Sequence, residues 1–182
     1  MGTPAQRLEG ERSKYPAMQV DEILVWRNFL RDHDLEYNLL TPEWIALRSN
    51  DVGARPQLGD RFDYNVRLGV DVDPGPAFPD NIRRAAIASR SLRMDALGFQ
   101  DAQPVLFEVK RRAGPQNVGQ LVVYRDLWKV VYPAAGNPRL VLVFSELNQH
   151  ILPTAQASSI QLVQVPTNFS FLSPHAALRQ AP

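Results

Sequence analysis

Two acidic residues and a lysine in the middle of the chain have the types and spacing of a cation site. Glu108 and Lys110 alternate with apolar residues in PVLFEVK, so a strand places both on one face. Asp95 lies in the preceding strand-like stretch, RMDALGF, and a hairpin through GFQDAQP brings it alongside Glu108. Converging carboxylates repel each other, and a shared cation relieves the repulsion. Oxygen ligands without thiolate or histidine favour Mg²⁺ or Mn²⁺.

Lysine is the rarer cation in this chain, which has three Lys and seventeen Arg. Lys110 is nevertheless followed directly by Arg111 and Arg112. A compact ammonium on a flexible stem has different uses from a planar guanidinium. Phosphodiester hydrolysis needs a metal that stabilises charge and lowers the pKa of water, together with a cation near the phosphate. Lys110 is suited to follow such a water or phosphate oxygen.

A helix is predicted directly after this strand, in GPQNVGQLVVYRDLWKVVY. Gly114 precedes it and Pro115 opens it, where the missing proline donor does no harm. Gln116, Gln120 and Tyr124 recur every four residues and therefore share one face of the helix. The helix can thus present polar side chains to the acidic pair.

An Asp in one strand, E-x-K in the next and Q-x-x-x-Y on the following helix together resemble the PD-(D/E)XK nuclease superfamily, most of all its RecB-type branch. The resemblance implies a metal held by Asp95 and Glu108. It implies that Lys110 positions and polarises the attacking water or the scissile phosphate. Gln120 and Tyr124 would face the same site from the helix.

The resemblance covers about residues 60–145 and departs from the family at Met94, which precedes Asp95 in place of the proline of the family's name. It implies a restriction-endonuclease-like αβββαβ core and Mg²⁺- or Mn²⁺-dependent hydrolysis of DNA. Several arginines around the predicted site fit either phosphate contacts or a solvated face. We expect DNA contacts from four of them: Arg93, Arg111, Arg112 and Arg125. The same cluster includes Arg83, Arg84 and Arg90.

Two other functions fit the same motifs. The small size and layout are similar to phage-encoded members of this fold, which act as head-completion, neck or tail-connector components beside packaged DNA. The near-neutral charge and proline-rich ends favour that role, with neighbouring virion subunits or a homo-oligomer as partners. The second alternative is DNA binding with a silent metal site. A ring-shaped oligomer would indicate assembly, and failure to bind Mg²⁺ or Mn²⁺ would indicate the silent site.

Length and composition indicate one soluble α/β domain. The chain has 182 residues and no cysteine, so a disulfide framework and a thiolate zinc site are excluded. The formal net charge of +1 does not by itself indicate nucleic-acid binding, which must be argued from local clusters of basic residues. No apolar run is long enough for a bilayer, and the N-terminus lacks a signal-peptide pattern. We expect no membrane partner and a cytoplasmic location, meaning host cytoplasm or virion for a phage-encoded protein.

The order of elements predicts an α/β sandwich with a mixed central sheet flanked by helices. The expected domains are an extended N-terminal arm over residues 1–18, a nuclease-like domain over 19–166 and a C-terminal tail over 167–182. An amphipathic helix is predicted over 20–33, and LTPEWIAL begins a short helix. Strands are predicted in RFDYNVRLG, at about 84–90 and 92–99, and in PVLFEVK, PRLVLVFSE and SIQLVQV, with a surface loop at VDVDPGPAFPD.

Side chains outside this constellation receive ordinary structural roles. Glu22 and Glu36 on and after the first long helix are candidates for a further metal contact, and we expect surface roles for both. The three tryptophans are expected in the core: Trp26, Trp44 and Trp128.

Overall fold

The structure is a computed structural model that describes residues 4–48, 56–68, 79 and 92–172. Within these ranges the chain forms one five-stranded sheet and helices on both of its faces. The helices are α1 (Pro4–Gly10), α2 (Val20–His33), α3 (Pro42–Arg48), α4 (Pro115–Val131) and α5 (Leu152–Ala157). The strands are β1 (Asp63–Leu68), β2 (Leu92–Gln100), β3 (Gln103–Ala113), β4 (Arg139–Leu147) and β5 (Ile160–Gln164).

The sheet is mixed, as the sequence predicts. The strand order is β1-β2-β3-β4-β5, with antiparallel pairing from β1 to β3 and parallel pairing from β3 to β5. Asp101 and Ala102 join β2 to β3 with φ angles of 51° and 63°, the left-handed conformation of a two-residue hairpin turn. Together with α2 and α4 this order gives the predicted restriction-endonuclease-like αβββαβ core.

The sheet separates two hydrophobic cores. On one face α2 packs Ile23, Trp26 and Phe29 against Phe107 and Val109 of β3. On the other face α3 and α4 cover the sheet with a set that includes Trp44, Leu121, Trp128 and Leu142. All three tryptophans are buried, which confirms their predicted core role. In the part of the chain that the structure describes, no helix has both the length and the apolarity to cross a membrane.

The N-terminal segment is not the extended arm that the sequence predicts. Residues 4–10 form α1, and Leu8, Tyr15 and Met18 are buried in the same core as α2. The Tyr15 ring meets that of Tyr64 on β1 edge-on, with 4.8 Å between centroids. Because α1 is short and a turn follows it, these apolar residues form no continuous stripe that sequence periodicity can detect.

The start of the predicted C-terminal tail also lies against the domain. Thr167 accepts a hydrogen bond from Asn28 of α2 at 3.3 Å, and Phe169 packs under the Arg111 guanidinium at 4.5 Å. Residues 173–182 lie outside the described residues. So do the predicted strand at 84–90, nearly all of the loop at VDVDPGPAFPD, and three arginines of the predicted cluster: Arg83, Arg84 and Arg90.

Gly98 on β2 gives a test of this packing. A Cβ at Gly98 would lie 3.0 Å from Phe62 and 3.2 Å from Tyr37, inside a buried aromatic cluster. Gly98→Ala should therefore lower the free energy of unfolding by about 1–3 kcal/mol. Gly119→Ala is the matched control, because a Cβ on this exposed helix face would meet no atom of the described residues within 4 Å, and alanine should stabilise α4 by up to about 1 kcal/mol. Urea unfolding of both variants measures the difference, and equal stabilities would contradict the packing.

Candidate active site

The candidate site lies where β2 and β3 stop pairing through their backbones. The paired residues of the two strands end at Ala96 and Phe107. Asp95 is one residue beyond this point on β2, and Val109 is two residues beyond it on β3. Asp95 Oδ2 accepts a hydrogen bond from the Val109 backbone N–H at 2.8 Å. The Asp95 carboxylate thus accepts from a backbone N–H that a β2 carbonyl would otherwise accept from. Because this N–H is satisfied, β2 and β3 can separate here and leave their edges open.

One ammonium and three carboxylates meet at this edge. Lys110 Nζ lies 2.7 Å from Glu22 Oε1, 3.1 Å from Glu108 Oε1 and 3.3 Å from Asp95 Oδ2. The structure therefore brings together the three residues on which the sequence prediction rested, Asp95, Glu108 and Lys110. Strand alternation and the hairpin turn predict this proximity, because all three residues lie on β2 and β3, the two strands of one hairpin.

Glu22 is the member of the cluster that sequence reasoning missed. It is buried, with 8% of its surface exposed, and its predicted surface role is wrong. A signal was present: Glu22, Trp26 and Phe29 lie at i, i+4 and i+7 and so occupy the buried face of α2. Glu36 differs, because it is exposed and lies 2.8 Å from His33 Nδ1, which confirms its surface role.

Glu22 uses its two oxygens separately. Oε2 accepts the Gln19 backbone N–H at 2.7 Å and completes a capping box at the start of α2, while Oε1 meets Lys110. The beginning of this helix is therefore tied directly to the candidate site.

The cluster carries more buried negative charge than one lysine neutralises. Asp95 is 4% exposed and Glu108 is 1% exposed. Burial raises the pKa of Asp95 to about 6, and burial together with the charge of Asp95 raises the pKa of Glu108 to about 8. Burial lowers the pKa of Lys110, but the attraction of the carboxylates outweighs it and the net shift is upward. Lys110 therefore stays charged, and Asp95 and Glu108 become protonated at a higher pH than acids exposed to water.

The helix α4 faces the cluster through Tyr124. The Tyr124 hydroxyl donates a hydrogen bond to the backbone carbonyl of Arg93 at 2.9 Å, two residues before Asp95 on β2. Burial raises the pKa of Tyr124, and the nearby charges of Glu108 and Asp95 add to the shift. Tyr124 thus holds the diverging part of β2 in place.

Gln120 is hydrogen-bonded within α4. Its Oε1 accepts from Asn117 Nδ2 at 3.2 Å, and Asn117 Oδ1 accepts from the Gly114 backbone N–H at 2.9 Å. These two hydrogen bonds hold the polar side chains of the first turns of α4, and one of them satisfies the backbone N–H of Gly114. Pro115 opens the helix, as the sequence predicts. Gln120 is half-buried and one turn from Tyr124.

The four arginines expected to contact DNA have different surroundings. Arg111 and Arg112 directly follow Lys110 and pair with Glu146 of β4 at 3.4 and 3.1 Å, and the Arg112 side chain is 77% exposed. Arg93 is half-buried and donates to the Asn65 carbonyl at 3.3 Å. Burial lowers the pKa of Arg93, and neighbouring arginines lower it further.

Arg125 occupies a different side of α4. Its guanidinium donates to the Ser158 carbonyl, just before β5, at 3.4 Å. Tyr124, the preceding residue, reaches β2, which is three strands away from β5 in the sheet. Arg125 and Tyr124 therefore point toward opposite edges of the sheet.

The donor set fits a divalent cation. Asp95 and Glu108 offer carboxylate oxygens, and Glu108 Oε2 is buried without a hydrogen-bond partner among the described residues. Hard cations such as Mg²⁺ take one or two carboxylates and complete their shell with water. Within residues 4–48, 56–68, 79 and 92–172, no group of three or more His, Asp or Glu has the arrangement of a complete metal cage. The third carboxylate, Glu22, is held by Lys110.

Comparisons with known proteins give one structural likeness. No protein-family model matches the chain, and no curated protein matches it. The chain is similar to the crystal structure of a repair endonuclease from Pyrococcus abyssi, with 23% identity over 43% of this chain and 35% of that chain and a TM-score of 0.38. The αβββαβ arrangement is defined by the strand order and register described above and does not depend on this likeness.

The raised pKa values of Asp95 and Glu108 predict a pH dependence of stability. An acid whose pKa is higher in the folded than in the unfolded chain binds more protons when folded, so its contribution to stability is lost as pH rises through the folded pKa. In EDTA, Glu108→Gln should therefore gain melting temperature relative to the parent as pH rises from about 4 to about 8.

A substitution that removes no titratable group provides the control for this comparison. Gln149→Ala, at an exposed position, should show a constant difference from the parent over the same pH range. Calorimetry at several pH values makes the measurement. If the difference in melting temperature between Glu108→Gln and the parent were also constant with pH, the raised pKa of Glu108 would be contradicted.

Proposed function

We propose that the protein is a divalent-metal-dependent deoxyribonuclease of the RecB-type branch of the PD-(D/E)XK superfamily. One observation carries the proposal: Asp95, Glu108 and Lys110 meet at a parted strand edge, and a buried Glu108 oxygen has no hydrogen-bond partner among the described residues. Such an arrangement of ionised carboxylates has a high free energy unless a proton or a further cation offsets the charge, and a divalent cation does so while leaving the acids ionised. The motif resemblance supplies DNA as the substrate class.

Each residue has a role in the proposed reaction. Asp95 and Glu108 would hold Mg²⁺ or Mn²⁺, which supplies charge neutralisation and a lower pKa for the attacking water. Lys110 donates hydrogen bonds to a phosphate oxygen or orients the water, which its flexible stem allows. The water oxygen bonds to phosphorus and loses one proton to solvent, the P–O ester bond breaks, and the leaving oxygen takes up one proton from solvent. Tyr124 and Gln120 support the site from α4.

The proposed DNA surface begins at the two arginines after Lys110. The Arg111 and Arg112 side chains are about half and three-quarters exposed, and both follow the site along β3. Their pairing with the partly exposed Glu146 is weak because water screens it. Phosphates can therefore replace Glu146 as their partner, and counterion release would favour that exchange.

Cleavage of DNA tests the proposed function. The protein should cleave DNA with Mn²⁺ or Mg²⁺ and not in EDTA. Lys110→Met should reduce the rate by about 100-fold or more, because the variant keeps the stem and loses the charge near the phosphate. Lys129→Met, at an exposed position near the end of α4, is the matched control and should cleave at the parent rate.

Equal cleavage by the parent and Lys110→Met would show that the activity comes from another site or from a contaminant. Absence of metal-dependent cleavage by the parent would contradict the enzyme and leave the assembly role or the silent DNA-binding role. Mass in solution then separates a ring-forming component from a smaller DNA-binding protein.

The arginine surface has its own test. Arg112→Gln should weaken DNA binding about equally for different sequences and lower the slope of log affinity against log salt by about 1, because one phosphate contact is lost. Arg31→Gln is the control, since Arg31 is exposed near the far end of α2 from Glu22. Filter binding or fluorescence anisotropy at several salt concentrations, in EDTA, gives both slopes. An unchanged slope for Arg112→Gln would show that Arg112 does not contact a DNA phosphate.

A further inference from the structure

The position of Lys110 raises a problem for the proposed enzyme. Its ammonium lies within 3.3 Å of both carboxylates that would hold the metal, and it therefore occupies the cation position of the site. An ammonium has three N–H donors. Here Lys110 donates to Glu22 Oε1 and Asp95 Oδ2, and it forms an ion pair with Glu108 Oε1 at 3.1 Å. The Lys110 contacts use Asp95 Oδ2 and Glu108 Oε1, so a divalent cation held by these two oxygens must displace the ammonium.

Glu22 is placed to receive the released charge. Its contact with Lys110, 2.7 Å, is shorter than those of Glu108 and Asp95. The other Glu22 oxygen is bound in the capping box, which fixes this carboxylate at the start of α2. A carboxylate fixed in this way keeps its partner while the neighbouring acids exchange theirs.

We propose that Glu22 is a positioning residue that retains the Lys110 ammonium when Asp95 and Glu108 exchange it for a divalent cation. The inference rests on the proposed function and adds a residue and a task that the E-x-K motif does not contain. Glu22 keeps the ammonium close to the site after it leaves the two metal ligands. Without Glu22, the carboxylates that remain around Lys110 among the described residues are Asp95 and Glu108, where it competes with the metal.

Two simpler roles for Glu22 must be separated from this one. Glu22 could act only as a helix cap, in which case its charge is irrelevant to metal binding. Glu22 could instead bind the cation directly, in which case its effect does not depend on Lys110. A double-mutant cycle between Glu22 and Lys110 separates all three roles.

The test measures Mn²⁺ affinity of the full chain by isothermal titration calorimetry, independently of DNA cleavage. Glu22→Gln keeps a side-chain oxygen for the capping box and removes the charge that holds Lys110. We expect it to weaken Mn²⁺ binding by about tenfold, the loss typical of a hydrogen bond to a charged group. In the Lys110→Met background the same change should weaken binding by about twofold or less, because no ammonium remains to compete.

Controls keep the cycle interpretable. Asp21→Asn removes a neighbouring charge from the same first turn of α2 and should leave Mn²⁺ affinity within about twofold of the parent. Lys110→Gln provides a second background if Lys110→Met does not fold, as judged by its thermal unfolding. Lys110→Met alone should bind Mn²⁺ more tightly than the parent, since it lacks the competing charge.

Three outcomes would overturn the inference. Equal weakening by Glu22→Gln in both lysine backgrounds would make Glu22 a direct ligand, and no weakening in either would make it a cap only. Failure of the parent to bind Mn²⁺ would remove the exchange altogether. Failure of the proposed function looks different: the cycle holds as expected, but the parent protein does not cleave DNA.

Discussion

One ammonium shared by three buried carboxylates is the interaction on which the rest of the site depends. Buried ion clusters contribute little net stability, because desolvation offsets much of the attraction. Removing one member leaves an uncompensated charge, so the cluster specifies an arrangement more strongly than it stabilises the fold. Lys110 is the only member of the four with a positive charge, and it links β3 to β2 through Asp95 and to α2 through Glu22.

The surrounding fold places these charges at the edge where both helical layers can reach them. Where the β2–β3 ladder ends, the Asp95 carboxylate accepts the hydrogen bond of the Val109 backbone N–H. The two strands therefore need no further backbone pairing here, and the site stays open between them. Glu22 enters from the layer of α2, and Tyr124 reaches β2 from the layer of α4. Capping interactions set both helix starts, at Gln19 and at Gly114, and thereby fix where these side chains stand.

Local patterns explain what could be predicted from the sequence. Asp95, Glu108 and Lys110 belong to one hairpin, so strand alternation and turn residues determine their proximity. The prediction of α2 follows similarly from apolar spacing. Glu22 lies 88 residues from Lys110, and its contact depends on how α2 packs against the sheet, which no local pattern reports. The buried face it shares with Trp26 was the available signal.

The N-terminal segment was mispredicted for a related reason. Leu8, Tyr15 and Met18 are buried by contacts with distant elements, whereas their immediate neighbours are polar and include Pro16. Sequence periodicity detects long helices and strands, and it does not detect short pieces that are held by tertiary packing.

Anomalous diffraction from crystals of the protein grown with Mn²⁺ tests the central claim most directly. The account predicts a manganese peak bound by the Asp95 and Glu108 carboxylates, with the Lys110 ammonium withdrawn from both and still paired with Glu22. Manganese bound elsewhere, or Lys110 still in contact with all three carboxylates at saturating Mn²⁺, would contradict it.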